Sequence, residues 1–250
     1  MGATEASFIV FAFVFGGAML GMFLRPVLPP HHLRAGSKDI IRLGMGLIAT
    51  MAALVLGLLV ASAKEFYDSQ SNEVTQIAAN VIFLDRELAH YGPESQEARD
   101  QLRRVLIRIR DRVWPTDGSP PAGLEPVSVN ETIYSKIQQL TPKNDAQRTL
   151  QTQALTMAAS LLQSRWLMYE QSTSPIPFPM LMILVLWLTI IFVSFGLFAP
   201  RNVTVMVTLF VSALSVSCAI FLILEMYKPY RGVIRISGAP LTAALQHLGK

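Results

Sequence analysis

The stretch from Leu43 to Tyr91, LGMGLIATMAALVLGLLVASAKEFYDSQSNEVTQIAANVIFLDRELAHY, changes character once, at Ala63–Lys64. Before that point it holds no Asp, Glu, Lys or Arg. A helix rises 1.5 Å per residue, so about 20 mostly apolar residues suffice to cross a bilayer's hydrocarbon core. After that point the chain is polar, yet Tyr67, Gln70, Val74, Ile77, Val81, Leu84, Leu88 and Tyr91 recur in alternating steps of three and four. This is a heptad seam over more than three repeats. The two parts read as one helix that leaves the membrane, reaches roughly 40 Å beyond it and stops at Gly92-Pro93. Gln70 within the seam either sets register or marks a wet position near the membrane.

Three further runs lack charged residues for long enough to span: Ala6 to Leu24, Gln171 to Pro200 and Asn202 to Leu224. The first does not read as a signal peptide, because Glu5 rather than a basic residue precedes it and no small-x-small site follows. The second of these opens with Pro175, Pro177 and Pro179, which sets the helix start near Pro179, since proline is tolerated in a first turn. Arg201 alone separates the last two runs, making them a hairpin. Composition agrees with a chain that uses lipid as solvent. Of 250 residues only 15% are charged and 52% are hydrophobic, with mean hydropathy +0.41, against about 25% charge in a soluble domain. The net charge of +4 is spread over several segments. It gives no nucleic-acid footprint, and no aromatics interleave with the arginines.

Residues 64–170 carry 14 acidic and 12 basic side chains, the mark of a water-exposed domain. A second helix is expected from about Glu94 to Val113, with Ala98, Leu102, Val105, Ile109 and Val113 on its apolar face. Its other faces carry Arg99, Arg103, Arg104, Arg108, Arg110 and Arg112. These arginines read either as a solvated face paired to Asp85, Glu87 or Glu73, or as an anion, headgroup or partner patch. Trp114 to Val127, rich in Pro and Gly, reads as a linker. Ser128 and Glu131 form a capping box for a short helix with Val129, Ile133, Ile137 and Leu140. Thr141 and Pro142 are expected to start a long helix marked by Leu150, Ala154, Met157, Leu161 and Met168. Tyr227 to Ile236 is expected to be extended. Gly238, Ala239 and Pro240 then open a short helix with Leu241, Leu245 and Leu248 on one side, expected to dock on the helical domain.

The fold class is therefore all-α: four transmembrane helices with a helical extramembrane domain inserted between spans two and three. The segments are 1–63 (two spans and a short basic loop), 64–170 (the helical domain), 171–224 (the hairpin) and 225–250 (the tail). Orientation is pulled two ways. Arg25, Arg34, Lys38 and Arg42 place the first loop in the cytoplasm by the positive-inside rule, which leaves the 64–170 domain outside. Lys228, Arg231 and Arg235 pull the other way.

Small residues recur on one face of two spans: Gly17 and Gly21 in the first, and Ala49, Ala53, Gly57 and Ala61 in the second. Such stripes admit close helix packing in lipid. Span four carries hydroxyls at Thr204, Thr208, Ser212 and Ser215, which either bond back to their own helix or line a pore with Glu225 at its mouth. Glu225 reads equally as an end-of-helix ion pair with Lys228. Cys218 is alone, so neither a disulfide nor a cysteine metal cluster is possible within the chain. His31 and His32 look like a solvated loop. No catalytic constellation, P-loop, HExxH, GxSxG or dinucleotide fingerprint is present. The chain is thus expected not to be an enzyme and to use no metal or cofactor.

Four segments carry a resemblance. LDRELAHYGPESQEARDQLR (Leu84 to Arg103), LILEMYKPYRGVIRISGAPL (Leu222 to Leu241), the PP-x-HL loop after span one and AKEFYDSQ after span two resemble a family of bacterial membrane proteins with a bestrophin-like domain. A more distant link runs to the bestrophins, which are oligomeric anion channels. The resemblance implies a multi-pass protein of a bacterial inner membrane. It further implies an oligomeric ion channel handling small ions, whose partners are lipid and its own copies. The competing expectation is an accessory subunit whose helical domain binds a partner protein. Lys228, Pro229, Tyr230 and Gly232 keep the family's basic-Pro-aromatic-x-Gly order, while Tyr227 stands where an Asp is common. The acidic run of the bestrophin calcium clasp is absent, so no calcium site is carried over.

Overall fold

The computed structural model describes residues 2–27, 35–115, 129–172 and 178–249. Among the described residues there are helices and turns and no strand. In chain order the helices are α1 (Ala3–Leu24), α2 (Ala35–Tyr91), α3 (Gln96–Val113), α4 (Val129–Gln138), α5 (Asp145–Ser172), α6 (Phe178–Phe198), α7 (Val203–Met226) and α8 (Ala239–His247). Four of them, α1, α2, α6 and α7, are long and apolar enough to cross a membrane. The chain forms two compact units. One holds residues 1–65 and 175–227, the other 66–174 and 228–250. Helix α2, 57 residues without a break, contributes to both. The loop with His31, His32, Arg34 and the PP-x-HL motif, the 116–127 part of the linker, the Ser128 cap, and Pro175 and Pro177 lie outside the described residues.

In the first unit α1 and α6 run parallel at very close range. A Cβ on Gly17 would lie 3.1 Å from Thr189 Cγ2. One on Gly21 would overlap the Val193 carbonyl, and one on Gly196 the Ala18 carbonyl. The two backbones thus touch where three glycines meet, the geometry by which small residues hold membrane helices together. Helix α7 packs on the same core through Leu209, Ala213, Ile220 and Ile223. Its Phe210 stands edge-on to both Phe11 and Phe15, with ring centroids 5.4 and 5.5 Å away. The α6–α7 turn is fixed by polar contacts. Asn202 caps α7 by accepting from Val205 N at 2.9 Å. Arg201 donates to Met22 O at 2.6 Å and Arg25 to Ala199 O at 2.5 Å. Each arginine therefore supplies a donor and a positive charge to the carbonyl end of a helix, where the dipole favours it.

In the second unit the seam of α2 faces inward: Val74, Val81, Leu84, Leu88 and Tyr91 are buried, and Tyr67 and Ile77 are half-buried against the same core. The helix stops at Gly92, whose φ of 124° is open to glycine and strained for other residues. A 3₁₀ turn at Pro93–Ser95 then delivers α3 at Gln96, two residues later than the sequence pattern suggests. Ser95, fully buried, has its one hydroxyl proton within reach of two carbonyls, Leu88 O and, at 2.8 Å, Gly92 O, which share it across the corner.

One further boundary and one segment differ from expectation. Helix α5 begins at Asp145, not at Thr141-Pro142. Asn144 is the better cap: its Oδ1 accepts from Gln147 N at 2.8 Å, and Gln147 Oε1 accepts from Lys143 N at 2.7 Å. The residues between α4 and α5 stay non-helical because Gln151 Nε2 bonds the carbonyls of Ile137 and Leu140, at 2.9 and 2.7 Å. The segment Tyr227–Ile236 is a folded turn, not an extended strand. Arg231 N and Gly232 N both donate to Lys228 O, and Ile236 N returns to Pro229 O at 2.9 Å. Helix α8 then packs Leu241, Ala244 and Leu248 into the core of this unit.

Candidate functional site

Helix α7 carries the hydroxyl residues on one face. Thr204, Thr208, Ser212 and Ser215 are all exposed, on the side opposite the packed residues Leu209, Ala213 and Ile220. Thr208 donates to Thr204 O and Ser215 to Val211 O, both at 2.9 Å, so these two hydroxyls have a partner inside the helix and need no water. Large apolar side chains, including Val207, Phe210, Val211 and Leu214, occupy the adjoining exposed face. The exposed surface of α7 is thus split lengthwise into a hydroxyl stripe and an apolar stripe. Cys218 is exposed as well.

Glu225 does not lie on the hydroxyl face. It is buried, 5% exposed. At about 100° per residue it sits roughly 80° round the helix from Ser215. Of the polar side chains that close α7, Tyr227 stands with its hydroxyl 3.2 Å from Ser62 Oγ on α2.

Helix α2 has a similar split surface within the first unit. Ala49, Ala53, Gly57 and Ala61 are all exposed, and nothing lies within 4 Å of where a Gly57 Cβ would be. Leu43, Leu47, Leu54 and Leu58 form a separate exposed apolar stripe, while Ala52, Leu59 and Ala63 face the core. Among the described residues of this chain the small-residue stripe packs against no helix, in contrast to Gly17 and Gly21 on α1.

The α3 arginines divide. Arg99, which the basic-face pattern merges with the rest, is the one that is structurally committed. Its Nε and Nη2 meet the two oxygens of Asp85 at 2.8 and 2.9 Å. Asp85 is 3% exposed, and its Oδ2 also accepts from Gly249 N at 3.1 Å. One buried carboxylate thus ties α2, α3 and the C-terminal tail. Arg104 bonds Gln101 and Arg110 bonds Asp111, both within the α3 surface. Arg103, Arg104 and Arg108 are exposed, whereas Arg110 and Arg112 are half-buried.

A second polar knot lies where the family-like KPYRG turn meets α2. Tyr230 is buried and donates its hydroxyl to Gln70 Oε1 at 3.0 Å. Gln70 is therefore not a wet position: it is the buried acceptor for a tyrosine 160 residues away. Burial raises the Tyr230 pKa well above the usual tyrosine range, and Glu73 pushes it further the same way. Burial also raises the carboxyl of Glu73, whose Oε2 is enclosed without a hydrogen-bond partner. Trp114 completes the knot. Its indole donates to Ile236 O at 2.7 Å, its ring meets Tyr230 edge-on at 6.1 Å, and it lies so close to Gly238 that a Cβ there would sit 2.9 Å from the indole. Sequence reading missed Trp114, assigning it to the linker. Among the described residues no group of three or more His, Cys, Asp or Glu side chains is placed to hold a metal ion.

Residues 12–241 match the family described as Bestrophin-like domain. No curated protein matches the chain. Among solved structures, a crystal structure of a bacterial bestrophin homolog from Klebsiella pneumoniae, carrying a point mutation, is similar with a TM-score of 0.67. The two are 14% identical, and the likeness covers 95% of this chain and 97% of that one. At that identity the match establishes a shared fold.

Proposed function

The chain belongs to the bestrophin-like family, and from that premise we propose that it is an ion channel assembled from several copies in a bacterial inner membrane. The observation that carries the reading is the family match over residues 12–241, which takes in the second half of α1 and the whole of α2, α6 and α7. Two features of the first unit support it. Helices α2 and α7 each keep an exposed face of small or hydroxyl side chains next to an exposed face of large apolar ones. Lipid suits the large apolar faces. A wet path or a neighbouring copy suits the others, because hydroxyls and exposed helix backbone can replace part of an ion's hydration without a buried fixed charge. The ion path then runs along Thr204, Thr208, Ser212 and Ser215 of α7 or along Ala49, Ala53, Gly57 and Ala61 of α2, and the remaining stripe meets the next copy.

The Arg25 and Arg201 edge of the first unit faces the cytoplasm on this reading, by the positive-inside rule. The test is current recording from purified protein in a planar bilayer, with ion substitution to read selectivity. Cysteines at Thr208 and Ser212, and separately at Ala53 and Gly57, in a Cys218→Ala background, are then exposed to a water-soluble thiol reagent. Modification that changes the current on one helix and not the other identifies the pore helix. Protein that inserts, assembles and never conducts sinks the channel reading and leaves a membrane-anchored accessory subunit, for which the exposed Arg103, Arg104 and Arg108 offer a partner surface.

A further inference from the structure

Helix α7 ends at Met226, and the chain folds back on itself directly afterwards. Arg231 N and Gly232 N bond Lys228 O, and Ile236 N returns to Pro229 O. The closed loop sorts its side chains. Pro229, Tyr230 and Ile236 are buried, and Gly232 and Ile234 are half-buried, whereas Arg231, Val233 and Arg235 are exposed. Val233, at 78% exposure, is an aliphatic side chain held in water between two guanidinium groups. Arg235 Nε donates to Gly232 O at 2.9 Å, which fixes that guanidinium against the loop and leaves its terminal nitrogens to the outside. The Arg231 side chain makes no hydrogen bond or ion pair among the described residues. No Asp or Glu follows Glu225 in the sequence, so the tail supplies no counter-charge of its own.

The loop starts where a span stops. A chain extends at most about 3.6 Å per residue and a hydrogen-bonded turn keeps its ends within about 7 Å, so connectivity alone holds the Arg231 backbone within about 14 Å of the end of α7. Long arginine side chains close such a gap by reaching back to the interface. A second observation points the same way. Apart from Phe83, the exposed large apolar side chains of the helical unit among the described residues are Trp166, Leu167 and Val233. The first two lie in the last turns of α5, which ends at Ser172 shortly before α6 begins at Phe178. Trp166 stands edge-on to Tyr169 at 6.2 Å, and Trp and Tyr are the aromatics favoured at headgroup level. The exposed apolar surface of a unit otherwise built for water is thus concentrated where the chain enters span three and leaves span four.

We propose that the outer face of this loop binds an anionic phospholipid headgroup of the surrounding leaflet, with the phosphate on Arg231 and Arg235 and Val233 set into the boundary between headgroups and acyl chains. A guanidinium meets a phosphate with paired, charge-assisted hydrogen bonds. The inner face of the same loop carries Tyr230, which donates to Gln70 on α2. A bound headgroup therefore steadies the joint between the C-terminal tail and α2. The site rests on α7 being a span and is independent of whether the protein conducts.

The experiment uses the full chain in nanodiscs of phosphatidylcholine alone or of an equal mixture with phosphatidylglycerol. For position, Val233→Cys in a Cys218→Ala background is labelled with a polarity-sensitive fluorophore. In the mixed discs the label should be quenched by lipid carrying a spin label at headgroup level and shielded from iodide. For charge, the melting temperature of the unlabelled parent should rise from the first disc to the second. That rise should shrink in Arg231→Gln and vanish in Arg231→Gln/Arg235→Gln. Each variant is compared with itself in the two discs, so any intrinsic loss of stability cancels. Arg103→Gln/Arg104→Gln, which removes the same charge from α3, should keep the full rise. Inorganic phosphate added to the phosphatidylcholine discs should produce none. A label open to iodide and untouched by spin-labelled lipid would overturn the site, and a label shielded from both would mean that protein covers the loop. A rise that survives in the double variant, or that the α3 variant loses equally, would reduce the effect to net charge and sink the proposal. An equal rise with inorganic phosphate would do the same, since the ligand would then be a free anion.

Discussion

Replacing Asp85 by Ala is the most informative single perturbation of the helical unit. The carboxylate is 3% exposed and accepts three hydrogen bonds, two from Arg99 and one from Gly249 N. Its removal leaves a guanidinium whose side chain is only 13% exposed facing a void. Breaking a buried ion pair by deleting one partner costs about 3–5 kcal/mol. Arg99 sits nearer to water than Asp85 does and can swing outward, so Asp85→Ala should lie at the lower end, about 3 kcal/mol. Arg99→Ala strands the better-buried carboxylate and should lie at the upper end, about 5 kcal/mol. In a protein of this size about 1 kcal/mol corresponds to roughly 2–4 °C of melting temperature, so Asp85→Ala should melt roughly 6–12 °C below the parent.

The assay is intrinsic-fluorescence melting of purified protein in one detergent, for both single variants and the double variant. The double variant should be less destabilised than the sum of the singles, because it strands no charge. Single variants that melt within a degree of the parent would refute the reasoning: the pair would then be worth no more than an exposed one, about 0–1 kcal/mol.

Other expectations rest on separate features. Gly21→Ala and Gly196→Ala each place a methyl against a backbone carbonyl of the facing helix, so each should lower stability by about 1–3 kcal/mol. Gly57→Ala, which meets nothing in this chain, should leave the monomer's melting unchanged, and any loss should appear in the oligomer on size exclusion. Tyr230→Phe leaves the buried Gln70 without its donor and should cost about 1–3 kcal/mol by chemical denaturation. Glu73→Gln should stabilise the protein at neutral pH and have little effect in acid. Burial raises the folded-state pKa of Glu73 above its ordinary 4.5. The stability the carboxyl contributes is therefore fully present below about 4.5 and is lost as pH rises through the raised value. Melting curves of parent and variant between pH 4 and pH 8, run in parallel, should diverge upward with pH, and parallel curves would count against it.

The elements that sequence alone makes legible are those whose signal is local. The charge-free runs and the Tyr67–Tyr91 seam repeat within a few residues, and the helices and their buried faces follow from that period. Gly92 as the stop and the Gly17–Gly21 spacing are local in the same sense. Asp85 is legible as an arginine partner because α2 and α3 are neighbours joined by a tight corner. What stays hidden is long-range. Gln70 makes no sense in a heptad seam until Tyr230 is known to reach it. Trp114 looks like the start of a linker because its partners, Tyr230, Ile236 and Gly238, lie more than a hundred residues on. The α5 boundary is hidden because Thr141-Pro142 and Asn144 are competing caps, and tertiary contacts from Gln151 decide between them. Whether the α2 and α7 stripes face ions or another copy depends on surfaces outside a single chain.

The pairing of Asp85 with Gly249 and of Gln70 with Tyr230 also imposes an order on biosynthesis. The partners are separated by 164 and 160 residues, and the α6–α7 hairpin lies between them in the chain. At about 5–20 residues per second, a ribosome that has made Gln70 takes roughly 8–30 s to reach Tyr230. During that time the hairpin must enter the bilayer, and the helical unit exists only as its first part, with Trp114 and the neighbouring apolar face of α3 uncovered. Its polar knots close only once the chain has crossed the membrane twice more. A hairpin that inserts late or wrongly would therefore be read out in water as well as in lipid, as a helical unit left open and accessible to proteases and chaperones.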